Sequence, residues 1–183
     1  EDLTFIHPFD DPYVIAGQGT IGLEILDQMP DVERVIVPVG GGGLISGIAI
    51  AIKSIKPDVE IIGVESKQAA SMFESISNKR VTKIDSAKSL ADGIAVKKPG
   101  DITFQIVEQL VDEIILVSED EIAESILELM EDNKIIAEGS GAVAIAAAKK
   151  LKEDKKTVCI LSGGNINVNT LSKIIQKGLY ASG

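Results

Sequence analysis

Four consecutive glycines, Gly40, Gly41, Gly42 and Gly43, stand between the β-branched run "VIVPV" and the apolar stretch "LISGIAIAIK". Four backbone N–H groups in such a turn can converge on an anion, and a helix that follows adds its unpaired N-terminal donors and the positive end of its dipole. Side chains are absent where the backbone itself must approach a ligand, so the run is a candidate phosphate cradle. The competing reading is close packing of a helix on a strand, where glycine runs also occur. Two more loops precede helix-forming stretches: "EGSG", residues 138–141, and "SGGN", residues 162–165. In an open parallel sheet the ligand crevice lies at the carboxyl ends of the strands. Gly40 and Ser162 both follow strand patterns, so their loops are expected on one rim, one holding a phosphate and the other the far end of a planar ligand.

Other chemical signals are weaker. "GQGTIG", Gly17 to Gly22, fits the dinucleotide pattern letter for letter, but the preceding "YVIA" is short for a strand and no acidic residue closes the next strand. Nothing after Gly43 supplies the Gly-Lys-Ser/Thr ending of a nucleoside-triphosphate loop. Cys159 is the single cysteine and reads as a buried thiol; His7, the single histidine, precedes a proline and reads as a turn residue. No metal site is expected. The formal charge of -10, with no Lys/Arg cluster, argues against a nucleic-acid partner. No apolar run approaches the roughly 18 residues of a membrane span. No disulfide can form within the chain, which suits a cytoplasmic setting.

Positioning these loops falls to an alternating pattern. "ERVIVPV" reads as a strand, residues 44–56 as a helix, "VEIIGVE" as a strand and "SKQAASMFESISN" as a helix. A polar surface excursion from Asn78 to Gly100 turns at Asp92 and Gly93. Then follow a helix near 103–110, the strand "EIILV", and a helix opened by a capping box in which Ser118 precedes Glu121 by three. "EGSGAVAIAAAKKL", "TVCIL" and "VNTLSKIIQKG" complete the pattern as helix, strand and helix. The opening stretch, punctuated by Pro8 and Pro12, shows no N-terminal element of its own. The 183 residues are expected to form one α/β domain, an open twisted, mostly parallel sheet with helices on both faces.

Together, "HPFDDPYVIAGQGTIGLEI", "VPVGGGGLISGIA", "SLADGIAV", "EGSGA" and "LSGGN" resemble the fold-type II pyridoxal phosphate enzymes, in their threonine dehydratase and serine racemase branch, in the same order and at similar spacing. The resemblance implies pyridoxal 5'-phosphate as cofactor. It implies that Gly40, Gly41, Gly42, Gly43 and Leu44 offer backbone donors to the cofactor phosphate, that Ser162 meets the pyridine nitrogen, and that Gly93 and Glu138 are wall residues beside the ring. A neutral serine favours a protonated pyridine less than a carboxylate does, so loss of a β-hydroxyl competes well. The implied reaction is dehydration of a hydroxy amino acid, threonine and serine, to an enamine that goes on to a 2-keto acid and ammonia. Taken alone, Ser162 would read as a helix or turn cap, and Glu138 as an ordinary acid of a helix's first turn.

Two departures qualify this. The Schiff-base lysine lies in a Ser-x-Lys-x-Arg-Gly motif in such enzymes, and no such motif is present; "SAKSLADG" offers Lys88 without the Arg-Gly. The small domain's carboxylate-binding loop is missing as well, so the chain is expected to be the larger, C-terminal part of the enzyme and silent alone. Second, Glu65 and the Ala69 carbonyl match a divalent-cation position of some relatives, but Ser71 stands where serine racemase has an aspartate. A serine racemase or serine dehydratase, or a noncatalytic phosphate-binding module, are the other readings. A homo-oligomer is expected, since removal of upstream strands would expose apolar surface.

Overall fold

The computed structural model describes residues 3–181. The first element is one the sequence pattern missed. Helix α1, Pro12–Gln28, is opened by Asp11, whose Oδ1 accepts the N–H groups of Tyr13 at 2.8 Å and Val14 at 3.2 Å, with Pro12 at the first helical position. "YVIA" and "GQGTIG" are therefore helical. Their apolar and small residues follow the helix period: Ile15, Gly19, Gly22 and Ile25 share the buried face.

That face lies against helix α2, Gly43–Ile55, and the glycines are what let the two backbones meet. A side chain on Gly47 would run into the carbonyl of Ile15 and the N–H of Gly19; one on Gly22 would stand 3.0 Å from Ala51 Cβ and 3.1 Å from Ile48 O. The dinucleotide-like spacing is thus a helix-crossing stripe.

Four strands form one all-parallel sheet: β1 Arg34–Pro38, β2 Glu60–Ser66, β3 Glu113–Val117 and β4 Thr157–Cys159, in the order β3-β2-β1-β4. Helices α3 Ser71–Ser77, α4 Asp101–Leu110, α5 Glu119–Asp132, α6 Gly139–Ala148 and α7 Val168–Ala181 join and follow them. Alternate residues of the central strands face opposite ways. Val35, Val37 and Ile61 pack with Ile45, Ile48 and Ile52 of α2 and with Phe104 and Val107 of α4. Ile36, Ile62 and Val64 pack with Ile122, Ile126 and Val143 of α5 and α6 and with Ile174 of α7. Both faces of the sheet are covered, so its central strands are apolar throughout.

Several boundaries move inward from their sequence expectation. Ser66 ends β2 and residues 67–70 form a turn ahead of α3 rather than its first turn, α6 stops at Ala148, and β4 ends at Cys159. The capping box at Ser118 is present, Glu121 N–H donating to Ser118 Oγ at 3.2 Å and Ser118 N–H to Glu121 Oε2 at 2.6 Å.

Candidate functional site

The carboxyl ends of β1 and β4 open onto a cavity of about 310 Å³. Its lining includes Gly40, Gly41, Gly42, Gly43, Leu44, Gly93, Glu138 and Ser162, so the residues expected at the cofactor lie around one cavity. The structure adds Pro8, Phe9, Val14, Gln18, Pro38, Ile94, Val96 and Ser140. The described lining contains no Lys, Arg or His, so an anion here would depend on backbone dipoles.

The glycine loop is held by its carbonyls. Gly41 O accepts the Thr103 hydroxyl at 2.6 Å and Gly100 N–H at 3.3 Å, and Gly42 O accepts Ser46 N–H at 3.0 Å. The N–H groups of Gly40 through Ile45 donate to no acceptor among the described residues. Donors left unpaired by the fold are the complement an anion requires. Gly42 takes the left-handed conformation, φ +95°, and a side chain there would meet Met72 Cε at 2.6 Å and Thr103 Cβ at 2.8 Å. A side chain on Gly41 would enter the ring of Phe9. Bare backbone is thus demanded by packing, and the partners are distant segments rather than the strand and helix on either side.

Phe9 belongs to "HPFDD", which fastens three helix starts around the cavity. His7 Nδ1 accepts the N–H of Asp10 at 2.9 Å, and His7 is a turn residue as expected. Asp10 accepts the N–H groups of Asp101 at 3.0 Å, Ile102 at 2.9 Å and Thr103 at 3.2 Å, capping α4 across more than ninety residues of chain. Asp11 caps α1, and Phe9 covers the loop that opens α2. Asp11-Pro12 was readable as a helix start from sequence; the cap on α4 was not, because its partners are remote.

Gly93 lies in a 3-10 turn, Asp92–Ile94. The preceding loop is anchored by Glu119, which accepts Ser66 Oγ and Ser89 Oγ, each at 2.7 Å, and Leu90 N–H at 2.5 Å. Opposite, "EGSG" and "SGGN" are tied together. Glu138 N–H donates to Gly163 O at 3.1 Å, Asn165 N–H donates to Glu138 Oε2 at 3.1 Å, and Ser162 Oγ donates to Ser140 O at 3.3 Å. Neither Ser162 nor Glu138 makes a side-chain helix cap. Lys88 is exposed and lies outside the cavity lining.

Outside the cavity lining, Glu65 is fully buried; its two oxygens accept the N–H groups of Met72 at 2.9 Å and Phe73 at 2.7 Å. Burial pushes its carboxyl from an ordinary 4.5 up to about 8, against the pull of those two N–H groups. No group of three His, Cys, Asp or Glu side chains suited to a metal comes together among the described residues. Burial likewise raises the Cys159 thiol to about 11, which keeps it from acting as a nucleophile.

The model of the pyridoxal-phosphate dependent enzyme family matches residues 1–163. The chain belongs to that family. It is 56% identical over 181 residues to the L-threonine ammonia-lyase of Thermotoga maritima, covering 98% of this chain and 45% of that protein. Among solved structures, the processed form of threonine deaminase isoform 2 from Solanum lycopersicum aligns at a TM-score of 0.89 with 43% identity, over 95% of this chain and 52% of that one. Maize serine racemase aligns at 0.86 with 36% identity, over 97% and 56%. The chain therefore spans about half the length of the relatives it matches. The parallel α/β fold and the family resemblance read from the motifs are both borne out. No helix among the described residues is long and apolar enough to cross a membrane.

Proposed function

We propose that this chain is the cofactor-cradling part of an L-threonine ammonia-lyase, which deaminates L-threonine, and L-serine, to a 2-keto acid and ammonia by β-elimination. In this reading residues 1–183 form one α/β domain. The observation that carries the proposal is the rim cavity, whose lining brings Ser162 together with Gly40 to Leu44, residues whose N–H groups are unpaired among the described residues. Gly40, Gly41, Gly42, Gly43 and Leu44 would hold the phosphate of pyridoxal 5'-phosphate with N–H groups and the positive end of α2, with no cationic side chain needed. Ser162 would meet the ring nitrogen, while Gly93 and Glu138 form the walls beside the ring. Bound there, the cofactor supplies the electron sink that makes the α-proton of the amino acid removable. This chain's own loops, cross-linked through Glu138 and Glu119, would orient the cofactor.

The lysine that bonds the cofactor covalently is, in this reading, outside the chain. Mixing the protein with pyridoxal 5'-phosphate should give saturable binding by absorbance, and borohydride reduction followed by intact mass should give no single-site adduct. Absence of saturable binding refutes the proposal, as does a clean adduct on one lysine such as Lys88. The greater identity to the ammonia-lyase than to serine racemase favours the lyase reading.

The protein is further proposed to work in the cytoplasm as a homo-oligomer. An apolar groove between α1, α2 and α4, with Leu23 50% and Ile55 58% exposed, supports association. A monomer in a sizing experiment at micromolar concentration would count against it.

A further inference from the structure

Three buried hydroxyls among the described residues have no hydrogen-bond partner: Ser46, Ser71 and Ser140. An unpaired buried hydroxyl destabilises a protein, so each calls for a reason. Ser46 and Ser71 line no part of the rim cavity; Ser140 does.

Ser140 is 3% exposed and sits in the first turn of α6. Three helical serines here turn the hydroxyl back on the carbonyl four residues earlier: Ser54 on Ile50 at 2.6 Å, Ser75 on Ser71 at 2.6 Å, Ser125 on Glu121 at 2.9 Å. Ser140 lacks that outlet, because Ile136 precedes the helix. Its hydroxyl lies instead against Gly93, 2.8 Å from where a side chain on that glycine would begin, and Glu138 Oε1 lies 3.4 Å from the same point. Its carbonyl accepts the Ser162 hydroxyl at 3.3 Å. Two neighbouring residues of the lining therefore carry hydroxyls, one satisfied by protein and one not.

We propose that Ser140 is a positioning residue for the cofactor, a second hydroxyl donor at the ring end beside Ser162. The inference rests on the proposed cofactor-cradling function. Pairing with the cofactor requires Oγ to leave Gly93 by a turn about χ1 to another staggered well. A donor that the protein leaves unpaired and a ligand pairs contributes to affinity and not to folding.

The test is Ser140→Ala, with Ser140→Gly as a second variant, titrated with pyridoxal 5'-phosphate by absorbance and with inorganic phosphate by competition. Both variants are expected to bind pyridoxal 5'-phosphate about 3- to 10-fold more weakly, the effect of one lost neutral hydrogen bond. Inorganic phosphate, held by the glycine loop alone, should bind the variants and the parent equally. The ligand-free melting temperature of Ser140→Ala should not fall. Unchanged pyridoxal 5'-phosphate affinity, with normal binding by the parent, overturns this inference and leaves the proposed function standing. Equal weakening for inorganic phosphate, or loss of the fold in both variants, also overturns it. Failure of the parent itself to bind pyridoxal 5'-phosphate overturns both.

Discussion

Glu65 makes the stability of this protein fall as pH rises through neutrality. In the folded chain its carboxyl titrates near 8, and in the unfolded chain near its ordinary 4.5. Between those values the folded state holds a proton that the unfolded state has lost, so raising the pH favours unfolding. One proton of difference gives a slope of about -1.4 kcal/mol per pH unit, and the whole interval amounts to about 5 kcal/mol. That is a large share of the about 5–15 kcal/mol that holds an ordinary domain folded. Below pH 4.5 and above about 8 the slope from this group vanishes. The carboxyls of Asp31, Glu121 and Glu153 are held below their ordinary values, chiefly by lysine partners at Asp31 and Glu153 and by hydrogen bonds from Ser118 and Lys150 that outweigh burial at Glu121. Their contribution is complete before the window opens. Urea unfolding at half-unit steps from pH 5 to 8.5 measures the slope. Glu65→Gln supplies the control: its single amide oxygen replaces one of two acceptors, at a cost of about 1–3 kcal/mol, and it cannot titrate. Its curve should start lower at pH 5 and run flat. A variant curve parallel to that of the parent, or a parent whose stability rises across the window, refutes the reasoning.

Other expectations are more local. Gly42→Ala places a side chain at φ +95° against Met72 and Thr103, and should cost about 2–4 kcal/mol, read as a lowered urea midpoint with an unchanged slope. Asp10→Ala removes the cap of α4 and should cost about 1–2 kcal/mol, with faster proteolysis of the segment before Pro12. Cys159, with its thiol near 11 against an ordinary 9.0, should react with a disulfide reagent at pH 8 about 100-fold more slowly in the native than in the unfolded chain; comparable rates would contradict the burial.

Much of the fold was legible because its signals are local. "ERVIVPV" and "VEIIGVE" are continuous apolar runs, as strands covered on both faces must be, and the box at Ser118 and Glu121 needs only a spacing of three. Helix α1 was missed for a related reason. Pro8 and Pro12 suggested loop, although Pro12 after Asp11 is a helix start, and three glycines in "GQGTIG" lowered helical propensity that the crossing with α2 restores. Tertiary packing overrode local preference there.

The site divides along the same line. Sequence by itself singled out the candidate residues: the glycine run because consecutive backbone groups are a local signal, and Gly93, Glu138 and Ser162 through the family resemblance of the motifs that hold them. It also placed the Gly40 and Ser162 loops on one rim, since parallel strands end on the same side. Only the tertiary structure decided that Phe9 covers Gly41, that Asp10 reaches α4, and that Ser140 is left without a partner beside Gly93. Each of those depends on segments far apart in the chain meeting within a few ångströms. No spacing along a sequence encodes such a distance until hydrophobic burial has brought the two faces of the sheet under their helices.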